Sequence, residues 1–282
     1  MNNAKLIYKK IFLILILLIL FSISYIFINK KHNIILETTS IVNYLKKPFI
    51  SSTINSNTNN SNQSNTVQSN SNTNTIVNNK LPNKINLNVP FTTQAPFGVW
   101  DTLHNDACEE ASVISNIYYL ENKQLTLDLA EKGIQELVNW QMQNFGDQYD
   151  LPVDKISQMV DKFYSRKSDI YYDGDVTITK IKELLANNYP IIMPLAGRDL
   201  KNPFYRAPGP VYHMIVICGY DDASKQFIVN DVGTKHGENY NYDYQKLFNA
   251  IYDMPLWQQD KTSLDANPNI IYSGRKAMLV IN

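Results

Sequence analysis

Val211-Tyr212-His213-Met214-Ile215-Val216-Ile217-Cys218-Gly219-Tyr220 is a run of β-branched, aromatic and sulfur-bearing side chains with one imidazole set into it. Residues of these types suit a pleated, buried surface, so the run reads as a strand. Alternation puts His213, Ile215, Ile217 and Gly219 on one face and Met214, Val216 and Cys218 on the other. A polar ring among apolar neighbours needs partners. Tyr220-Asp221-Asp222-Ala223-Ser224-Lys225 follows as a turn and Gln226–Asn230 as a second strand, which makes an antiparallel hairpin with a long turn. Its return brings the Asn230-Asp231 end near the start of the first strand. Asp231 is then expected to accept the Nδ1–H of His213 and leave Nε2 free. Asn230 is the alternative acceptor, but neighbouring strand residues face opposite ways and only one of the two can serve.

Further strands are expected at Ile170–Tyr172, Ile191–Ala196 and Lys276–Ile281, with helices at Ile178–Asn188 and Tyr244–Tyr252. Upstream the period changes. Ile85–Phe91 alternates as a strand that Pro90 ends or pushes to an edge, and helical patterns cover 108–122, Leu125–Asn144 and Asp154–Phe163. Helices first and antiparallel strands later predict an α+β domain over 81–282, not alternating βαβ units.

The second informative stretch is Asn105-Asp106-Ala107-Cys108-Glu109-Glu110-Ala111-Ser112. Asp106 has the chemistry of an N-cap, and Glu109 three residues on completes a capping-box pattern before Val113, Ile114, Ile117 and Tyr118. Cys108 then falls in the first helical turn, where unpaired N–H groups and the helix dipole favour a thiolate. A thiol there, a histidine on a strand and a carboxylate behind it supply a nucleophile, a base and an orienting acid.

The 282-residue chain carries 26 basic and 26 acidic side chains, and this balance excludes the electrostatic footprint of a nucleic-acid binder. Its 18 tyrosines suit a β-containing domain and a groove for an extended chain. Residues 1–10 read as a short cytoplasmic tail. Ile11–Asn29 has no charged residue, lies between Lys9-Lys10 and Lys30-Lys31, and as a helix is about 28 Å long, enough for one transmembrane anchor. The expectation is a single-pass membrane protein whose C-terminal domain lies outside the cytoplasm. Residues 30–50 form a juxtamembrane segment, and 51–80, rich in Ser, Asn and Thr, a disordered tether with a root-mean-square span of roughly 30 Å.

Val-Pro-Phe-Thr-Thr-Gln (89–94), Ala-Cys-Glu-Glu-Ala-Ser (107–112), His-Met-Ile-Val-Ile-Cys-Gly-Tyr-Asp (213–221) and Phe-Ile-Val-Asn-Asp (227–231) together resemble the C39-like cysteine peptidases of the papain-like superfamily. The resemblance runs from about Lys84 to Tyr252. It implies a papain-like fold, with an N-terminal helical part packed on an antiparallel sheet. It also implies Cys108 as nucleophile, His213 as general base and acid, Asp231 in preference to Asn230 as orienter, and Gln94 as oxyanion donor. His104, Asn105 and the Cys108 N–H are the alternative donors. Neither cofactor nor metal is implied; a zinc set of His104, Asp106, Cys108 and His213 lacks ligand spacing. Trp100 and Tyr212 flank the site in sequence and are candidate substrate contacts. Many members of the family carry Gly-Pro after the cysteine, where this chain has Glu109-Glu110, two acids expected to point outward. The resulting expectation is a membrane-anchored thiol hydrolase acting on peptide or protein amides. Its rivals are a binding module without turnover and a cell-wall amide hydrolase.

Overall fold

The computed structural model describes residues 80–282 apart from 149, 256–263 and 265. The tail, anchor, juxtamembrane segment and all but the last residue of the tether therefore lie outside the described residues. Among those described, no helix is long and apolar enough to cross a membrane.

Seven strands among the described residues form one antiparallel sheet: β1 (Lys84–Asn86), β2 (Ser168–Tyr172), β3 (Ile191–Ala196), β4 (Tyr212–Asp221), β5 (Gln226–Asn230), β6 (Tyr240–Asp243) and β7 (Ala277–Ile281). The order is β2-β7-β3-β4-β5-β6, with β1 on β4. β4 is the axis, and its first nine residues are buried. It pairs with β3 from Tyr212 to Ile217, whereas its pairing with β5 begins only at Val216↔Asn230. His213 and Met214 therefore project past the end of β5. A bulge between Ile217 and Gly219 resets the register, so strict alternation fails there, and Ile217 and Cys218 pack into the same cluster. Gly219 is needed at that point, because a Cβ would sit 2.1 Å from the Ile85 carbonyl oxygen.

Helices α1 (Thr102–Asn105), α2 (Cys108–Leu120), α3 (Leu127–Asn144), α4 (Val153–Tyr164), α5 (Ile178–Ala186) and α6 (Tyr244–Asn249) complete the regular elements relevant to the site. One core joins α2, α3 and α4 to the sheet through Ile114, Leu137, Ile156, Met214 and Leu279. The other joins α5 and α6 to the opposite face through Leu185, Leu247, Ile191, Ile215 and Val280. The α+β expectation, with an early helical layer on an antiparallel sheet, is met. α2 is buried from Cys108 through Ile117, and two of its polar side chains bond back to their own helix: Ser115 Oγ donates to the Ala111 carbonyl and Asn116 Nδ2 to that of Ser112.

The expected strand over Ile85–Phe91 is shorter than its pattern, because Val89 N–H turns back to the Leu87 carbonyl. α5 ends at Ala186, with Asn188 in the left-handed region at φ 65°. β6 and α1 were not anticipated.

Candidate active site

α2 does not begin as its sequence suggests. Asp101 caps the preceding α1, its Oδ1 accepting from His104 N–H at 3.0 Å, and Asp106 closes that helix, its N–H bonded to the Leu103 carbonyl. Ala107 is the N-cap of α2, and no side chain caps it. Asp106 is thus the end of one helix, not the cap of the next. Cys108 becomes the first helical residue, at the positive end of a thirteen-residue dipole.

Glu109 and Glu110 do not point outward; both are fully buried. The Cys108 Sγ–H donates to Glu109 Oε2 at 3.1 Å, while Glu109 Oε1 accepts from Leu151 N–H at 2.9 Å. Gln141 Nε2 on α3 donates to Glu110 Oε1. Burial, then the charges of Glu109 and Asp150, push the Cys108 thiol well above its ordinary 9.0, and the Met214 backbone N–H beside the sulfur acts the other way. Burial, Asp150 and Glu110 push Glu109 well above 4.5, and burial lifts Glu110 to about 8. The donor atoms of Cys108, Glu109 and Asp150 lie within 4.8 Å of one another. One soft and two hard donors select no particular ion, and the thiol of the set already donates to one of its carboxyls.

His213 and Asp231 meet as expected, but through the other nitrogen. Nε2 lies 2.9 Å from Asp231 Oδ1, which also accepts from Gly233 N–H at 3.1 Å. Asp231 Oδ2 accepts from Asn202 Nδ2 at 3.0 Å and from the hydroxyls of Tyr205 and Tyr242 at 2.6 and 2.7 Å. Burial alone raises this carboxyl; His213 and the two hydroxyls outweigh it and hold Asp231 below its ordinary 3.8. An ionised Asp231 takes the Nε2–H, which leaves Nδ1 for proton exchange. The Tyr205 ring stands edge-on to the imidazole with centroids 5.5 Å apart. Gly233 lies against the same ring, where a Cβ would come 2.8 Å from His213 Cε1 and 3.2 Å from the Tyr205 ring. The thiol and the imidazole flank the start of β4: Met214 packs in the helical-side core with Cys108, and the next residue, Ile215, in the opposite core. Among the described residues the thiol's hydrogen bond goes to Glu109, and none joins it to His213.

The remaining expected residues are placed differently. Gln94 Nε2 spends both hydrogens on the carbonyls of His104 (2.8 Å) and Asn105 (3.0 Å), so its amide has no donor left for an oxyanion. His104 is held between Asp101 and Glu131. The unblocked start of α2 offers the Cys108 N–H instead. Tyr212 is 4% exposed, and its hydroxyl donates to the Leu151 carbonyl and to Asp253 Oδ1, so it fixes the segment before α4 and presents no substrate surface. Trp100 is exposed, as are Phe97 and Val99 beside it. Asn230 is committed to the Val89 carbonyl and Asn239 N–H, which leaves the acceptor role to Asp231. Asn202, Tyr242 and Leu151 were missed, and Tyr205, in a segment expected to meet substrate, bonds Asp231 instead. The Tyr240-Asn241-Tyr242 alternation is the one local signal that pointed to any of them.

With these placements in hand, the match to known families is specific: the Peptidase_C39 like family fits residues 86–263. The chain belongs to that family. Two solved structures are similar to this C39-like chain. A C39-like peptidase from Bacillus anthracis is 14% identical with a TM-score of 0.44, covering 71% of this chain and 98% of its own. Xylellain, a cysteine protease from Xylella fastidiosa, is 16% identical with a TM-score of 0.34, covering 72% and 87%. No curated protein matches the chain.

Proposed function

We propose that this C39-like protein is a cysteine peptidase that hydrolyses peptide amides, held at a membrane surface by Ile11–Asn29 with its catalytic domain outside the cytoplasm. Cys108 is the nucleophile, its own N–H at the start of α2 receives the developing oxyanion, and His213, oriented by Asp231, protonates the leaving amine and then activates water. The observation that carries this reading is the buried His213–Asp231 pair, five hydrogen bonds deep at Asp231, next to the Met214 N–H that faces the Cys108 sulfur. A scaffold has no need to orient an imidazole so closely, whereas a proton carrier does. The thiol's bond to Glu109 favours one rival, a binding module of the same fold without turnover.

The test is hydrolysis of an unstructured protein by the full chain. Cys108→Ala and His213→Ala are each expected to abolish the release of new N-termini while the domain stays folded. Turnover surviving Cys108→Ala contradicts the reading, and no turnover by the parent chain on any peptide or muropeptide favours the binding module. Membrane attachment is checked by fractionation, where deletion of 11–29 should release the chain.

A further inference from the structure

Large apolar side chains stay exposed on two loops beside the site, and both loops are fastened to adjacent residues, Asp231 and Val232. Gln94 donates its backbone N–H to the Val232 carbonyl at 2.9 Å. From that anchor the chain makes a tight turn, with Gly98 at φ 72° and its N–H on the Ala95 carbonyl, and Phe97, Val99 and Trp100 are left 55%, 60% and 44% exposed. Asp101, α1 and two linking residues separate Trp100 from Cys108, at most about 20 Å of chain. On the other loop Asn202 and Tyr205 bond Asp231, and Phe204 between them is 48% exposed. Its ring is braced: it lies against His236 with centroids 4.4 Å apart and meets Tyr240 edge-on at 6.2 Å.

An apolar rim of this kind marks a place where something docks. The chain enters the described domain at the opposite end of β4, where the Tyr220 hydroxyl donates to the Pro82 carbonyl and Asp222 N–H to that of Asn83. Tyr220 is seven residues along the strand from His213, roughly 24 Å. The rim therefore stands at the catalytic end of the sheet, away from the side on which the chain arrives. What approaches that end is the substrate.

We propose that the rim selects an extended peptide with large apolar side chains on both sides of the scissile amide, Phe97, Val99 and Trp100 taking the acyl side and Phe204 the amine side. The inference rests on the hydrolase reading. Cys108, which follows the first loop in the chain, keeps the acyl group; the amine leaves beside His213, whose ring meets that of Tyr205, the residue after Phe204. When the C–N bond breaks, the nitrogen takes a proton from His213 and that half of the substrate departs from Phe204. The acyl group, now on the sulfur, rests against the first loop until water releases it as a carboxylic acid. Phe204 thus acts on acylation alone, and the first loop on both steps.

The test is hydrolysis by the full chain of internally quenched peptides matched except for Phe or Ala on one side of the cleaved bond. The parent chain is expected to favour Phe at least about 10-fold in kcat/KM on either side. Joint Phe97→Ser, Val99→Ser and Trp100→Ser substitution should remove the acyl-side preference and keep the amine-side one, and Phe204→Ser should do the reverse, with its deacylation rate on an activated ester unchanged. Equal rates on Phe and Ala peptides, or preferences that survive these substitutions, overturn the proposal. The substituted positions are exposed, so the fold should persist by circular dichroism; a variant that fails to fold leaves the parent comparison to decide. Failure of the hydrolase reading is separate, appearing as no turnover of any peptide. Binding of the same peptides to the full Cys108→Ala chain, by fluorescence anisotropy, then decides: tighter binding of Phe peptides supports the rim, and equal affinity overturns it. Quenching of tryptophan fluorescence by brominated lipid in the reconstituted full chain, lost in Trp100→Phe, would put the bilayer on the rim and overturn it as well.

Discussion

At the scale of single residues, Asp231 is the best-determined group in the site. Its two oxygens accept five hydrogen bonds, and His213, with the hydroxyls of Tyr205 and Tyr242, outweighs burial and holds it ionised. Asp231→Asn keeps the shape but removes the charge that sets the imidazole tautomer; kcat should fall about 10^2- to 10^4-fold with KM little changed, by steady-state kinetics on a peptide. Tyr205→Phe removes one donor and lets the Asp231 pKa rise. A carboxyl depressed in the fold adds stability above its unfolded pKa near 3.8, and that stability is lost as pH falls through the lower folded value. In Tyr205→Phe that contribution is smaller and its loss is complete at a higher pH, measurable as a higher acid-unfolding midpoint. The partners of Asp231 were not legible, because Asn202 and Tyr205 reach it from a loop whose sequence carries no periodic signal.

Among the elements, the strands that hold His213 and Asp231 were legible and the start of the catalytic helix was not. β3 and β5 have their expected bounds, since a fully apolar run and a hairpin return are local patterns. The start of α2 was misread because two aspartates compete for the cap: Asp101 takes it for α1, and Asp106 is used in ending that short helix. Glu109 and Glu110 turn inward because their partners, Leu151 and Gln141, come from distant segments that no spacing within the helix announces. β6 went unread as a strand because it is only four residues long, too short for its alternation to stand out from the loop before it. The turn after β5 is as tight as the strands. Gly233 lies against the imidazole, so Gly233→Ala must displace the ring; activity should fall far more than melting temperature, compared by kinetics and circular dichroism.

For the whole molecule, the buried acids predict an unusual pH response. Glu110, lifted by burial to about 8, keeps a proton in the fold at pH values where the unfolded chain has lost it. The folded state then binds more protons than the unfolded state, so stability declines from about pH 4.5 to about 8, and Asp253, lifted to about 6, adds to the early part. Glu110→Gln should flatten this decline and raise the melting temperature at pH 8 in a calorimetric series. That two-sided architecture, with helices on both faces of one sheet, buries Cys108 and Cys218 alike and makes the second thiol an internal standard: burial pushes Cys218 up to about 12. The most direct measurement of the central claim, that Cys108 is the nucleophile, is the relative rate at which iodoacetamide labels the two thiols of the full chain at neutral pH, read by peptide mass spectrometry. Cys108 is predicted to label faster, with hydrolysis lost in proportion to its labelling; equal, slow labelling of both thiols would contradict the account.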